Sequence, residues 1–256
     1  MLKNVKFALA LGVCCLLSSV ASAQWGDLKI KFVADGKAPT LPALEVTKDK
    51  AICEPMGKKV PNEEFVVGPD GGLKDVIVFL QADKQVKVHP SYEATAKETV
   101  TIDNRKCQFV PHVVLVRTGQ TFVVTNADPT GHNSKFSLRE NKVDENPLLP
   151  PKGEFVVKPE RLTKAEKRAA QVSCSIHPWM TGWVVVQDHP YMATSAEDGT
   201  LEIKNIPVGK HSFQFFQENV GYVPSNGKLK TVKGKATIEI KEGVNDLGEV
   251  KVKYKS

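Results

Sequence analysis

Seven consecutive residues, Cys174-Ser175-Ile176-His177-Pro178-Trp179-Met180, carry a thiol, an imidazole and a thioether in the spacing Cys-x2-His-x2-Met. A thiolate and two imidazoles in one plane with a weak, distant thioether make a donor set that suits both Cu(I) and Cu(II), the ligand pattern of a one-electron copper centre. One loop can supply three of those donors. The second imidazole must come from elsewhere, and His132, in Gly131-His132-Asn133, is the best candidate. Zinc also accepts a Cys and two His, but the thioether at Met180 favours copper. Among the other histidines, His112 falls at a strand position and reads as packing or a hydrogen bond, while His89, His189 and His211 read as ordinary.

The elements that would hold these donors are strands. Leu28 to Val33 alternates with lysines, and Val76 to Leu80, Thr99 to Ile102, Val113 to Val116, Thr121 to Thr125 and Trp183 to Val186 are short β-rich runs. Gly, Pro, Asn and Asp bound them, which is the pattern of an all-β sandwich. After residue 190 a strand–turn–strand series from Glu197 to Tyr254 reads as a smaller second sandwich. The stretch 159–170, with Glu160 and Lys164 four apart, has a helical spacing, but suits a solvated loop or a charged edge strand equally. The chain therefore divides into 1–23, 24–190 with the metal donors, and 191–256.

Residues 1–23 have the form of a secretory signal: basic Lys3 and Lys6, an apolar run from Phe7 to Leu17, and small residues at Ala21-Ser22-Ala23. Lipidation at Cys14 or Cys15 is the competing reading, opposed by Val13 and by the better site at Ala23. Removal would leave 233 residues (256 − 23) and lower the net charge from +6 to +4. Those charges are scattered, which speaks against nucleic acid as a partner, and no run is long enough to span a bilayer as a helix. Three cysteines would remain, and an odd count in an exported chain withholds one thiol from pairing. A Cys53–Cys107 disulfide would leave Cys174 for a metal; Cys53–Cys174 pairing would remove it.

The segment 174–186 is similar to the ligand loop of cupredoxins, above all amicyanin and plastocyanin. Phe109, Pro111, Val114, Gly119, Phe122, Asn126 and His132-Asn133 resemble the strand and loop that deliver the first histidine in that family. The likeness covers residues 108–187. It implies a Greek-key β-sandwich holding one type 1 copper, with His132, Cys174, His177 and axial Met180 as ligands. It also implies that Asn133 ties the two ligand loops together through Ser175, and that His177 presents an exposed edge flanked by Pro178 and Trp179, a docking patch for redox partner proteins. Residue 176 is Ile where near counterparts carry Pro. Its N–H is expected to reach the Cys174 sulfur and raise the reduction potential, so that Ile176→Pro lowers it.

The chain departs from a minimal cupredoxin in two further ways. About 40 residues separate His132 from Cys174, expected to cover one face of the sandwich, and residues 24–107 precede the motif. Gly71 to Val78 resembles the N-terminal regions of larger exported cupredoxin-like proteins, and Asp198 to Gly209 resembles carboxypeptidase-regulatory and transthyretin-like sandwiches. The function implied is an exported, non-enzymatic carrier of single electrons. Multicopper oxidases need paired His-x-His motifs, and the six histidines here form none. A module that binds a surface or carbohydrate, or a protein that stores copper, is the alternative.

Overall fold

The computed structural model describes residues 25–256 and is nearly all β. The signal-like segment 1–23 lies outside the described residues. Among those described, no helix is long and apolar enough to cross a membrane.

Two sandwiches enclose separate cores. In the first, Glu154–Val157, Thr121–Asn126, Thr99–Arg105 and Gln108–Val110 form one sheet, and Ala170–Ser173, Thr181–Gln187 and Val113–Arg117 the other. Thr99–Arg105 runs parallel to Thr121–Asn126, and Val113–Arg117 parallel to Thr181–Gln187. Parallel neighbours cannot be joined by a tight hairpin, so the chain crosses repeatedly from sheet to sheet. Phe109, Phe122, Val124, Phe136, Val184 and Val186 fill the space between.

The second sandwich corrects the division at residue 190. Its two sheets are Thr200–Pro207, Trp25–Ala34 and Gly243–Val252, and a facing sheet with Met192–Thr194, Ile77–Gln81, Gly209–Gln217 and Lys235–Ile240. Strands that precede the first sandwich in sequence thus sit centrally in the other one. Period-2 patterning explains this. Leu28, Ile30 and Phe32 are fully buried on one face of Trp25–Ala34, where Val78, Leu80, Phe213 and Phe215 of the facing sheet share their core, and the backbone pairs with a strand on each side. Ile77–Gln81 is apolar on both faces because both are covered. Val78 and Leu80 enter the second core, while Ile77 and Phe79 pack against Val113 and Val185 of the first sandwich.

Two segments fill the long connections. Residues 41–65 leave the second sandwich as a strap across the first: Val46, Cys53 and Val60 join the first core, and Phe65 returns to the second. The strap carries a short helix, Lys50–Cys53, which the sequence reading missed. The stretch between His132 and Cys174 adds strands as well as covering. Glu154–Val157 extends a sheet edge, Phe136–Leu138 pairs with Val143–Glu145, and Leu148–Leu149 pairs with His132–Asn133. Residues 159–170 contain only a 3-10 turn, Pro159–Arg161. Cys53 and Cys107 are joined by a disulfide across 54 residues, and Cys174 is a buried free thiol.

Candidate metal centre

Local chain chemistry sets each donor in place. Thr181–Gln187 begins just after Met180 and is held on both sides, by Ala170–Ser173 and Val113–Arg117. The loop between Ser173 and Thr181 closes on itself: the Cys174 N–H donates to the Met180 carbonyl at 3.3 Å, and the Met180 N–H to the His177 carbonyl at 2.9 Å. His132 is fixed by pairing with Leu149.

These loops bring Cys174 Sγ, His132 Nδ1 and His177 Nδ1 together. The sulfur lies 3.9 Å from each nitrogen, and the nitrogens are 2.9 Å apart. Metal–sulfur and metal–imidazole bonds of about 2.3 and 2.0 Å span all three separations, so one ion can reach every donor. Met180 is 1 % exposed and packs in the same core as Cys174.

Two carboxylates orient the imidazoles. His132 Nε2 meets Asp128 Oδ2 at 3.0 Å, and His177 Nε2 meets Asp49 Oδ2 at 2.9 Å. A carboxylate only accepts, so each Nε2 carries the hydrogen and each Nδ1 lone pair faces inward. Two such lone pairs 2.9 Å apart repel unless a proton or a metal ion lies between them. The donors therefore fit a thiophilic metal on their own geometry, in the carboxylate–histidine–metal arrangement that fixes tautomer and ring orientation.

Without a metal, a proton on His132 fills that place. Burial opposes protonation of His132, but hydrogen bonds with Asp128 and Cys174 outweigh it and raise its pKa to about 9. His177 is held below the usual imidazole range by burial and by the neighbouring His132, against the pull of Asp49. Burial would raise the Cys174 pKa. The contact with His132 and the N–H groups of Asn133 and His177, 3.5 and 3.4 Å from the sulfur, lower it instead. These contacts ease ionisation of the thiol.

Asn133 links the two ligand loops. Its Oδ1 accepts from the Ser175 N–H at 2.8 Å and the Ile176 N–H at 3.2 Å, while its Nδ2 donates to Ser175 Oγ at 3.5 Å and to Asn146. The Ile176 N–H is thus shared: it donates to Asn133 at 3.2 Å and also lies close enough to the Cys174 sulfur to help lower the thiol's pKa.

The exposed edge expected of His177 is absent. Its side chain is 0 % exposed, because Asp49 on the strap covers Nε2. Pro178 is exposed and Trp179 half-buried, with the Trp179 ring edge-on to His177 at 5.1 Å. Asp49 and Asp128 escaped the sequence reading. Asp128 lies four residues before His132, a spacing that could have flagged it; Asp49 is 128 residues from His177 and left no local signal. The two carboxylates are held differently. Asp128 also accepts the turn N–H groups of Lys106 and Cys107 at 2.6 and 2.8 Å. Asp49 sits in a left-handed turn, φ 51°, and its other side-chain bond is the 3.2 Å one from Thr130 Oγ1. The disulfide backs the centre, with its sulfurs within 4.8 Å of a His177 ring nitrogen.

No family description and no curated protein sequence matches the chain. Among solved structures it is similar to amicyanin from Paracoccus versutus (16 % identity over 43 % of this chain and 97 % of that one, TM-score 0.29). It is also similar to a purple cupredoxin from Nitrosopumilus maritimus (23 %, 36 % and 100 %, TM-score 0.27). A copper-containing nitrite reductase from Thermus scotoductus is similar too, at 22 % identity over 34 % of this chain, TM-score 0.30; the likeness spans only 22 % of that enzyme. The structural neighbours are thus cupredoxins, matched over little more than a third of the chain. At these scores the chemistry has to be read from this chain's own donor atoms.

Proposed function

We propose that the chain is an exported type 1 copper protein that carries single electrons between redox partners, with no catalysis of its own. The observation that carries this is the convergence of Cys174 Sγ with the inward-facing Nδ1 atoms of His132 and His177. Copper would be held by Cys174, His132 and His177, with the Met180 thioether as a further soft donor, and would supply one-electron chemistry between Cu(I) and Cu(II).

The rest is the work of the chain. Asp128 and Asp49 hold the tautomers, Asn133 fixes one ligand loop to the other, and the N–H groups of Asn133 and His177 hold the thiolate. A frame locked this way reorganises little when charge changes, which favours fast transfer. Enclosure argues for a carrier over an enzyme: the three donor residues are at most 2 % exposed, whereas a catalytic metal keeps an open position for water or substrate. Export rests on the signal-like pattern of residues 1–23, and the Cys53–Cys107 disulfide suits an oxidising compartment.

The test is a visible and electron-spin-resonance spectrum of the full chain after Cu(II) loading, beside Cys174→Ser. An intense thiolate-to-copper band with narrow hyperfine splitting, absent in the variant, is expected. A colourless protein overturns the assignment. A blue protein that cannot be cycled reversibly by one electron would instead be a copper store.

A further inference from the structure

With the imidazole edge of His177 covered, an electron needs another route to the surface. A cleft of about 170 Å³ opens on the far side of the ligand loop, walled by Trp179, Met180 and Leu44 and rimmed by Glu63, Glu64 and Glu218. It is smaller than the roughly 300–1,000 Å³ of small-molecule sites, so it suits one inserted side chain rather than a free substrate. Both Trp179 and Met180 lead inward. The Trp179 ring touches His177, its indole N–H donates to the Cys107 carbonyl at 3.2 Å, and Met180 packs in the same core as Cys174.

The charge around this cleft runs against the rest of the molecule. The chain has 35 Lys and Arg against 29 Asp and Glu. Yet among the described residues no Lys or Arg pairs with Glu63, Glu64 or Glu218. The one basic group at the rim, His112, is engaged with Glu218 at 2.6 Å and lies 3.8 Å from Glu63. The other partners of these carboxylates are neutral donors: Gln108 Nε2 to Glu63 at 2.7 Å, Thr181 Oγ1 to Glu218 at 3.2 Å and the Tyr254 hydroxyl to Glu64 at 3.1 Å. Three half-buried carboxylates from the strap and the second sandwich thus surround an apolar wall belonging to the metal loop.

We propose that this cleft is the docking port for the redox partner, and that the partner presents an apolar tip flanked by Lys or Arg. The inference rests on the copper reading above and names where that centre exchanges charge. One electron passes between the centre and the docked partner, the first changing by one unit and the second by the opposite unit, with no bond made and no proton moved. A partner approaching over His177 would meet the Asp49 carboxylate instead of a ring edge. The second sandwich gains a role as well, because Glu218 is its contribution to the port.

Two probes test this on the full chain. The reduced copper protein is oxidised by tris(phenanthroline)cobalt(III), a cation with apolar faces, and separately by the anion hexacyanoferrate(III), at low ionic strength. The double variant Glu63→Gln/Glu64→Gln should slow the cobalt reaction on the order of 3- to 10-fold without slowing the hexacyanoferrate reaction, and the difference should shrink at about 0.15 M salt. Equal effects on both probes, or none, overturn the port. Independently, paramagnetic hexaamminechromium(III) added to the copper-free protein should broaden the amide signals of Glu63, Glu64, Trp179 and Glu218. Broadening confined to other surfaces, such as that around Asp49, overturns it too. A protein that never turns blue would fail the copper reading, while the chromium map would still decide whether the cleft receives cations.

Discussion

The two sandwiches bury apolar cores of nearly equal size, 21 residues against 20, yet they differ in what else is buried. The first also buries Asn104, Asn126, Asp128, His132, Asn133, Ser134 and His177; in the second, Ser195, Gln214 and Gln217 make ordinary strand and turn contacts. Apolar burial is the main favourable term for folding in both. Buried polar groups cost free energy unless each finds a partner. In the first sandwich Asp128, His132, Asn133 and His177 gather around one point beside the Cys174 sulfur, while Asn104 and Asn126 bond strand and loop carbonyls. The difference between the two parts lies in that one cluster of donor atoms.

The largest effects should come from the cores. Phe122→Ala and Phe213→Ala each remove a fully buried ring and should each cost about 3–5 kcal/mol in urea unfolding. Only Phe122→Ala should also weaken the blue copper band. A band equally sensitive to Phe213→Ala would mean that the two parts are one unit.

Next come the carboxylates. Asp128→Asn should weaken copper binding by about 10- to 100-fold in a chelator competition, and Asp49→Asn by less, because Asp128 is locked by two backbone N–H groups and Asp49 rides on the strap. The reverse order would make the strap, rather than the sandwich, the main holder of the site.

The smallest effect belongs to the junction, where Glu218 of the second sandwich meets His112 of the first. Burial opposes a charged His112, but Glu218 outweighs it and raises the pKa above 6.5. Burial likewise opposes the Glu218 carboxylate, and His112 lowers its pKa below 4.5. The raised group contributes fully below 6.5 and is lost as pH rises through its folded pKa. The lowered group contributes above 4.5 and is lost as pH falls through its own. The pair is therefore strongest between those values, by about 1 kcal/mol. Urea midpoints should fall from pH 5.5 to alkaline pH, and Glu218→Gln should flatten that change.

The legible part of this protein was the part written in adjacent residues. Cys174 and His177 share one loop, and His132-Asn133 sits after a recognisable strand, so the clustering of those three side chains could be read directly. The alternation in Leu28 to Val33 announced a strand with one buried face. It could not announce its neighbours, which lie some 170 and 215 residues further on at Thr200–Pro207 and Gly243–Val252. Asp49 was illegible for the same reason, since a carboxylate in a polar loop has no periodicity to betray its target. The covered edge of His177 follows from that one residue.

The strand order has a consequence for how the molecule is assembled during synthesis. All the sheet strands of the first sandwich have emerged by residue 187, whereas the second cannot close its sheet until Gly243–Val252 docks in parallel beside Trp25–Ala34. One unit is nested inside the other, like a bead threaded between the two halves of a clasp. Contacts distant in sequence form slowly, so the nascent chain would complete its inner unit while Trp25–Ala34 still waits, unpaired on one side, for its last neighbour.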